Sequence, residues 1–588
     1  MKQNKMRRNE LLFILLLQVA LLMAVPAKRE WRTITQHDGT ALQVMLCGDE
    51  FHHYFKTTDD ILLVRDAGGD FCYARIADGV LRSTGVRAHE ATARTAAENA
   101  VLTSEYQLGT VRRQAPRLSA PHTPRVRRAE AFTGERRGLI ILVSFSDTEF
   151  TSADAQAEWT AIVNEEGYSQ HKARGSVSDF FRDQSDGRFR LSFDVVGPVQ
   201  LPKAATYYGA KEDDPEGVGD HVGEMIKAAC EGVDAQVDFN NYDWDGDKVA
   251  DLVYVLYAGH GSNDVWKDPG YVWPHAFDMR GWGYWALRFD GVQIMDYACS
   301  NELNSSEQLT GIGTICHEFS HCFGLPDLYN TSTTKNVLGQ WDLMDIGSYN
   351  GNGWCPPNHS AFERFSIGWA TPVTLSEPLT VDQMDTQDNG GDAYWFFNDA
   401  NPNEYHIIEN RQLAGWDSSL PGSGLLVTHV DYLESAWTNN TPNNTASHLR
   451  VGIVAANNRS IVSNAGGTNG NAAYPYNEND SLTDNSIPAA KWFTANLSGS
   501  TKPGLPVTEM KVGDDGLASF KFRGGSVSDG VRAITSDAHR LLGHPVDVYD
   551  SGGRLLFSAP RFSGLADRPR GLYILHDKTS GQRVKVIR

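Results

Sequence analysis

The residues best equipped for chemistry stand together in the run His317-Glu318-Phe319-Ser320-His321-Cys322-Phe323-Gly324-Leu325-Pro326-Asp327. Histidines four positions apart on a helix lie one turn from each other on the same face, so both imidazoles can reach one ion. Glu318, beside the first of them, can orient a water on that ion and take its proton. Gly324 stands where such a helix must stop, and glycine suits the positive φ of a helix C-terminal turn. Pro326 forbids further helix, and the turn can bring Asp327 back as a third ligand. Two imidazoles and one carboxylate leave a coordination position open, as a catalytic zinc requires. The chemistry expected is hydrolysis by a metal-activated water, with His317, His321 and Asp327 on Zn2+ and Glu318 as general base. A more distant carboxylate, such as Glu363, could replace Asp327 in the ligand set.

Two further groups accompany this run. Met344 lies in Trp341-Asp342-Leu343-Met344-Asp345-Ile346-Gly347-Ser348-Tyr349, and a methionine in a tight turn soon after an elongated zinc motif resembles the Met-turn of metzincin proteases. Tyr349 could hydrogen-bond a developing oxyanion or simply pack. Upstream, Asp243-Trp244-Asp245-Gly246-Asp247, followed by Asp251, puts carboxylates at alternating positions, a pattern that points several hard oxygens at one centre and suits Ca2+. It is not an EF-hand, because glycine takes the fourth place and no glutamate the twelfth; structural calcium on Asp243, Asp245, Asp247 and Asp251 is the expectation, with a solvated acidic turn as the rival.

The elements that must position these residues can be placed from pattern. Gly138-Leu139-Ile140-Ile141-Leu142-Val143-Ser144-Phe145 and Leu252-Val253-Tyr254-Val255-Leu256-Tyr257-Ala258 are unbroken apolar runs, the mark of strands buried on both faces. Helix is expected around Ser176–Gln184 and a strand over Phe189–Val199. Residues 28 to 108 alternate like a small β unit and end in a helical stretch. Residues 375–525 show short strands with Asn, Gly and Pro turns, the texture of a β-sandwich. The tail, 526–588, is a further small β module.

Between the first unit and the first buried strand, residues 111–137 carry eight arginines and three prolines, a composition that cannot bury a core and predicts an exposed linker open to proteolytic nicking. At the start, Lys2, Lys5, Arg7 and Arg8 precede an apolar run from Leu11 to Val25, and Val25-Pro26-Ala27 offers small residues for cleavage, so residues 1–27 read as a secretory signal. No other stretch is apolar enough to cross a bilayer. The resulting order is signal 1–27, propeptide 28–128 with its Arg-rich linker, catalytic domain 129–374, β-sandwich 375–525 and C-terminal β module 526–588.

With 588 residues, 41% hydrophobic, there is material for several packed cores, and a net charge of −20 argues against a general nucleic-acid binder. Seven cysteines are too sparse for a disulfide scaffold; one or two bridges in the central region are the most expected.

The motif His317-Glu318-x-x-His321-x-x-Gly324-x-x-Asp327 with Leu325-Pro326 resembles the immune inhibitor A family of secreted bacterial metalloproteases. So do Gly175-Ser176-Val177-Ser178-Asp179-Phe180-Phe181, the Gly259-His260-Gly261 turn, Trp273-Pro274-His275, Glu404 to Gln412 and Gly424 to Asp431. The likeness covers roughly residues 40 to 525. It implies a metzincin-like α/β catalytic domain in a mixed multidomain chain, with a central twisted sheet and an active-site helix. It also implies Zn2+, protein or peptide substrates, and Asp327 as the third ligand. Cys47-Gly48-Asp49-Glu50-Phe51 is similar to the opening of that family's N-terminal segment, and Cys47 or Asp49 could block the zinc of a zymogen. The tail, with Gly571-Leu572-Tyr573-Ile574 and a basic last strand, looks like the sorting domain of type IX secretion cargo, implying passage to the outside or attachment to the outer surface. A surface adhesin that keeps a structural zinc is the rival reading, though it has no need of Glu318; a zinc amidase or esterase is another.

Overall fold

The computed structural model describes residues 27–28, 30–48, 53–66, 68–77, 80–105, 132–209, 219–263, 270–333, 335–462, 468–525, 545–550, 554–560, 572–578 and 583–587. The signal sequence (but for Ala27), Asp49 and most of the Arg-rich linker lie outside them. No helix among the described residues is long and apolar enough to cross a membrane.

Six strands from Arg32–Thr35 to Val80–Arg87 pair consecutively as an antiparallel meander, followed by the helix Ala96–Glu105. Leu42, Val44 and Leu46 alternate inward along Ala41–Gly48 and join Leu63, Phe71 and Tyr73 in one core. One aromatic of that core comes from far along the chain. Trp273 is fully buried in it, and the ring of His53 stacks on Trp273 with centroids 4.5 Å apart. Arg32 also reaches the hydroxyl of Ser305.

The central sheet has five strands in the order His275–Asp278, Asp296–Leu303, Val253–His260, Gly134–Ser144, Phe189–Gln200. The last four run parallel and His275–Asp278 lies antiparallel at one edge. Its middle strands are apolar throughout because both faces are covered. Ile140, Leu142, Tyr254 and Leu256 pack on one side with Ile315, Cys316 and Phe319 of the motif helix Gly313–His321. Leu139, Ile141, Val143, Val253 and Val255 pack on the other with Met225, Ile226 and Ala229 of the helix Val222–Val233. The helix Val177–Gln184 opens with a capping box between Ser176 and Asp179.

The first strand of this sheet begins at Gly134, within the expected catalytic span 129–374 and overlapping the end of the Arg-rich stretch 111–137, because its parallel partner Phe189–Gln200 is long enough to pair with residues 134–137; Arg137 then pairs with Asp194. Val373–Thr374, at the end of the expected catalytic span, is the edge of the next sheet and pairs with Tyr394–Asn398.

That next sheet has five strands and faces a three-stranded one (Leu379–Met384, Ala518–Phe522, Val507–Val512) across a shared core of Phe396, Ile408, Val427, Met510, Phe520 and Phe522. In the tail, Val546–Asp550, Leu555–Ala559, Leu572–Asp577 and Arg583–Ile587 form a four-stranded antiparallel sheet. The expected disulfides do not form. All seven cysteines are buried thiols, and several sit in separate apolar clusters, Cys230 and Cys299 in one and Cys316 and Cys322 in another, where they act as small hydrophobic fillers.

Candidate metal centre

The motif helix is placed by close backbone approach. A Cβ on Gly313 would lie 1.8 Å from the carbonyl oxygen of Ser348, so the first turn packs directly on the segment that follows Met344. Three residues past the helix, Gly324 takes φ +83°, and its N–H donates to the carbonyl of His321 at 2.9 Å. The chain then turns back, and Asp327 faces the helix it has just left.

This brings His317, His321 and Asp327 into one buried group. The two Nε2 atoms are 3.2 Å apart, with the rings nearly perpendicular. Oδ1 of Asp327 lies 3.2 Å from Nε2 of His317 and 3.6 Å from that of His321. The far side of each ring fixes its tautomer. Nδ1 of His317 meets the carbonyl of Leu343 at 2.8 Å, and Nδ1 of His321 meets that of Leu325 at 2.8 Å. A carbonyl only accepts, so Nδ1 must donate in both rings and each Nε2 keeps its lone pair for the centre. Two lone pairs at that separation repel unless a cation or a proton sits between them. The set, two imidazole nitrogens and one carboxylate oxygen, is the donor chemistry of zinc.

The electrostatics tell the same story. Burial works against charge on His317, but its hydrogen bond to Asp327 and the nearby Glu318 outweigh burial and hold its pKa up at about 9. Burial pushes His321 down to about 4. Without a metal, therefore, one proton occupies the pair. Glu318 is pushed up to about 8, by burial first and by the charge of Asp327 second. Only 1% of Glu318 is exposed, and neither carboxylate oxygen has a hydrogen-bond partner among the described residues. An unpartnered buried carboxylate is costly, and such groups concentrate where a proton must be moved.

Outer contacts hold the ligands. Met344 is fully buried; its N–H donates to Asp342 at 2.8 Å and its carbonyl accepts from the N–H of Leu328 at 2.8 Å. The Met344 turn thus supports both the imidazole of His317, through Leu343, and the chain that carries Asp327. Asn440, which nothing in the sequence marked, grips Asp327 at two points. Its Nδ2 donates to Oδ2 of Asp327 at 2.6 Å, and its Oδ1 accepts from the Asp327 N–H at 2.7 Å. The only sequence signal was the Asn-rich stretch 439–444, which reads as a turn.

Other expected residues fall elsewhere. Glu363 caps its own helix, accepting from the Ser360 N–H at 2.7 Å and lying 3.5 Å from Nδ1 of His359, outside the metal-ligand group. His359 in turn meets Ser320 on the back of the motif helix at 3.2 Å. Tyr349 is half-buried and its hydroxyl accepts from Asn263 at 3.3 Å. Cys47 is buried in the N-terminal sheet opposite Tyr54 and is not among the grouped ligand atoms. Asp243, Asp245 and Asp247 do gather. Their carboxylates also accept from the loop's own amides, Asp243 from Gly246 at 2.8 Å and Asp247 from Val249 at 2.9 Å. Asp251 is buried apart from that group, accepting from the Trp244 N–H at 2.5 Å.

Comparison with known proteins points the same way. Immune inhibitor A of Bacillus thuringiensis subsp. alesti is 24% identical over 304 residues, 42% of this chain and 43% of that protein. The pre-pro-metalloprotease PrtV of Vibrio cholerae serotype O1 is 23% identical over 333 residues, 46% of this chain and 35% of that protein. The chain thus spans less than half the length of these curated relatives. The segment 139–369 matches the family model for the immune inhibitor A peptidase M6 catalytic domain, and those residues hold the whole motif from Gly313 to Met344. Over residues 139–369, then, the chain is similar to the catalytic domain of the immune inhibitor A (M6) peptidases.

Proposed function

We propose that this protein is a secreted zinc-dependent endopeptidase, made as a latent precursor, that cleaves extracellular proteins. One observation carries the reading: two Nε2 lone pairs and one carboxylate oxygen converge within 3.2–3.6 Å beside an unpartnered, buried Glu318.

His317, His321 and Asp327 would hold the ion. Zinc held there would supply Lewis acidity toward a peptide carbonyl and an acidified water. Glu318 would take a proton from the attacking water and return it to the departing amine. Its carboxylate, buried and without a hydrogen-bond partner among the described residues, is free to take that role. The carbonyls of Leu343 and Leu325 keep the imidazoles in the tautomer that binds metal, and the buried walls of the motif helix exclude bulk water.

Latency is supported by burial. His317 and Asp327 are fully buried and Glu318 nearly so, and on this reading activation opens them to substrate. The acidic loop at Asp243, Asp245 and Asp247 is proposed to take calcium as a structural ion, and the C-terminal sheet to direct export by the type IX route. Digestion of casein by secreted protein, with and without a zinc chelator, tests the central proposal. Chelator-sensitive cleavage restored by zinc is the expected result; zinc-loaded protein that leaves casein intact but cleaves small amides or esters would overturn it.

A further inference from the structure

We propose that Asn440 is a positioning residue of the metal centre: by holding Oδ2 of Asp327, it presents Oδ1 alone to the ion. The inference rests on the reading of His317, His321 and Asp327 as a zinc site.

A carboxylate can rotate to offer either oxygen or both. That freedom is absent here. Oδ2 accepts from Nδ2 of Asn440 at 2.6 Å, while Oδ1 faces the two Nε2 atoms at 3.2 and 3.6 Å. The Asp327 N–H donates back to Oδ1 of the same amide at 2.7 Å, so side chain and backbone are fixed by one planar group. A carboxylate that uses one oxygen leaves more of the ion's coordination sphere for substrate than one that uses two.

Asn440 is itself held rigidly. It is 3% exposed, its carbonyl accepts from the Thr331 hydroxyl at 2.9 Å, and its backbone takes φ +45°, a left-handed conformation asparagine tolerates. It follows the short helix Glu434–Thr438, just beyond the downstream-sheet strand Gly424–Asp431. Asn443 fastens the same strap nearby, donating to the carbonyl of Leu328 at 2.7 Å and accepting from the Val451 N–H at 3.1 Å, without touching Asp327. Chain from the downstream sheet therefore sets the orientation of a ligand carried by the catalytic segment. A metal centre built on residues 139–369 alone lacks this clamp.

The left-handed φ supplies a clean test, because glycine adopts it without strain. Asn440→Gly removes the amide and leaves the backbone at ease, and Asn443→Ala loosens the strap while sparing the clamp. Both are made in the full-length chain, with His317→Ala as reference. Zinc affinity is read by competition with a chromophoric chelator, and the ligand field by visible absorption of the cobalt-substituted proteins. Asn440→Gly should bind zinc about 10- to 100-fold more weakly and show an altered cobalt band, with Asn443→Ala matching the parent in both. His317→Ala should lose tight zinc binding. If Asn440→Gly binds zinc like the parent while His317→Ala does not, the clamp is refuted and the zinc site stands. Equal weakening in Asn440→Gly and Asn443→Ala also refutes it, since general loosening would then be the cause. Parental zinc binding by His317→Ala overturns the site itself, and the clamp with it.

Discussion

The imidazole of His317 donates from Nδ1 to the backbone carbonyl of Leu343 at 2.8 Å, which ties a ring of the candidate metal centre to the residue just before a fully buried methionine. Support for the centre is thereby built into the core rather than added at its rim. Met344→Ala should leave a cavity costing about 2–5 kcal/mol. It should also weaken zinc binding, because the Leu343 carbonyl then loses its firm seat. Thermal denaturation and a chelator competition check the two effects; a variant with parental zinc affinity would mean the turn is only filler.

Glu318→Gln preserves shape and removes the base. Turnover should fall by about 10²–10⁴-fold or more, while zinc content, read by atomic absorption, stays at one per chain. Retained peptidase activity would show that another group moves the proton.

His321→Ala should lower zinc content with little effect on the central sheet, since His321 does not belong to the apolar core that Ile315, Cys316 and Phe319 form with that sheet. Circular dichroism matching the parent, alongside loss of metal, is the expected pair of results.

The motif was legible because chemistry, helix and turn lie within eleven consecutive residues. His317 and His321 share a face by helical periodicity, Gly324 takes the positive φ its position demands, and the run Leu139–Val143 is apolar because cores lie on both sides. What escaped was carried by contacts distant in sequence. Asn440 reaches Asp327 across 113 positions, and an amide in an Asn-rich stretch looks like any turn residue. That the strand extends back to Gly134 was not legible either, because Glu135, Arg136 and Arg137 look like linker, yet they pair with the start of Phe189–Gln200. Trp273, marked in the sequence only as part of Trp273-Pro274-His275, is buried in the core of the N-terminal sheet.

If the loop at Asp243, Asp245 and Asp247 takes calcium, removing calcium while zinc is maintained should lower the melting temperature, and Asp245→Ala should abolish that response. The loop's own hydrogen bonds, Asp243 to the Lys248 N–H at 3.0 Å among them, supply a scaffold that persists without an ion. A melting temperature indifferent to calcium would identify a self-capped acidic turn.

The N-terminal sheet should show a stability optimum between pH 4.5 and 6.5. Burial alone would raise Glu98, but the Thr95 N–H and His89 outweigh it and hold its pKa at about 2, below the ordinary 4.5. Its contribution is therefore complete above pH 4.5 and lost as the pH falls toward 2. His89, paired to Glu98 at 2.7 Å, is raised above its ordinary 6.5 chiefly by that bond, so its contribution is complete below pH 6.5 and lost as the pH rises through the raised value. Hydrogen exchange over residues 30–105 measures this directly; His89→Gln should flatten the alkaline decline, and an unchanged decline would place its origin elsewhere.

Trp273 gives the N-terminal sheet a debt to the rest of the molecule. Were the intervening chain cut and the sheet to depart, it would leave without the indole that completes its apolar cluster and stacks on His53. A fragment lacking it is a poor candidate to refold and return. Separation would then act as a ratchet, its direction set by packing rather than by the concentration of the released piece.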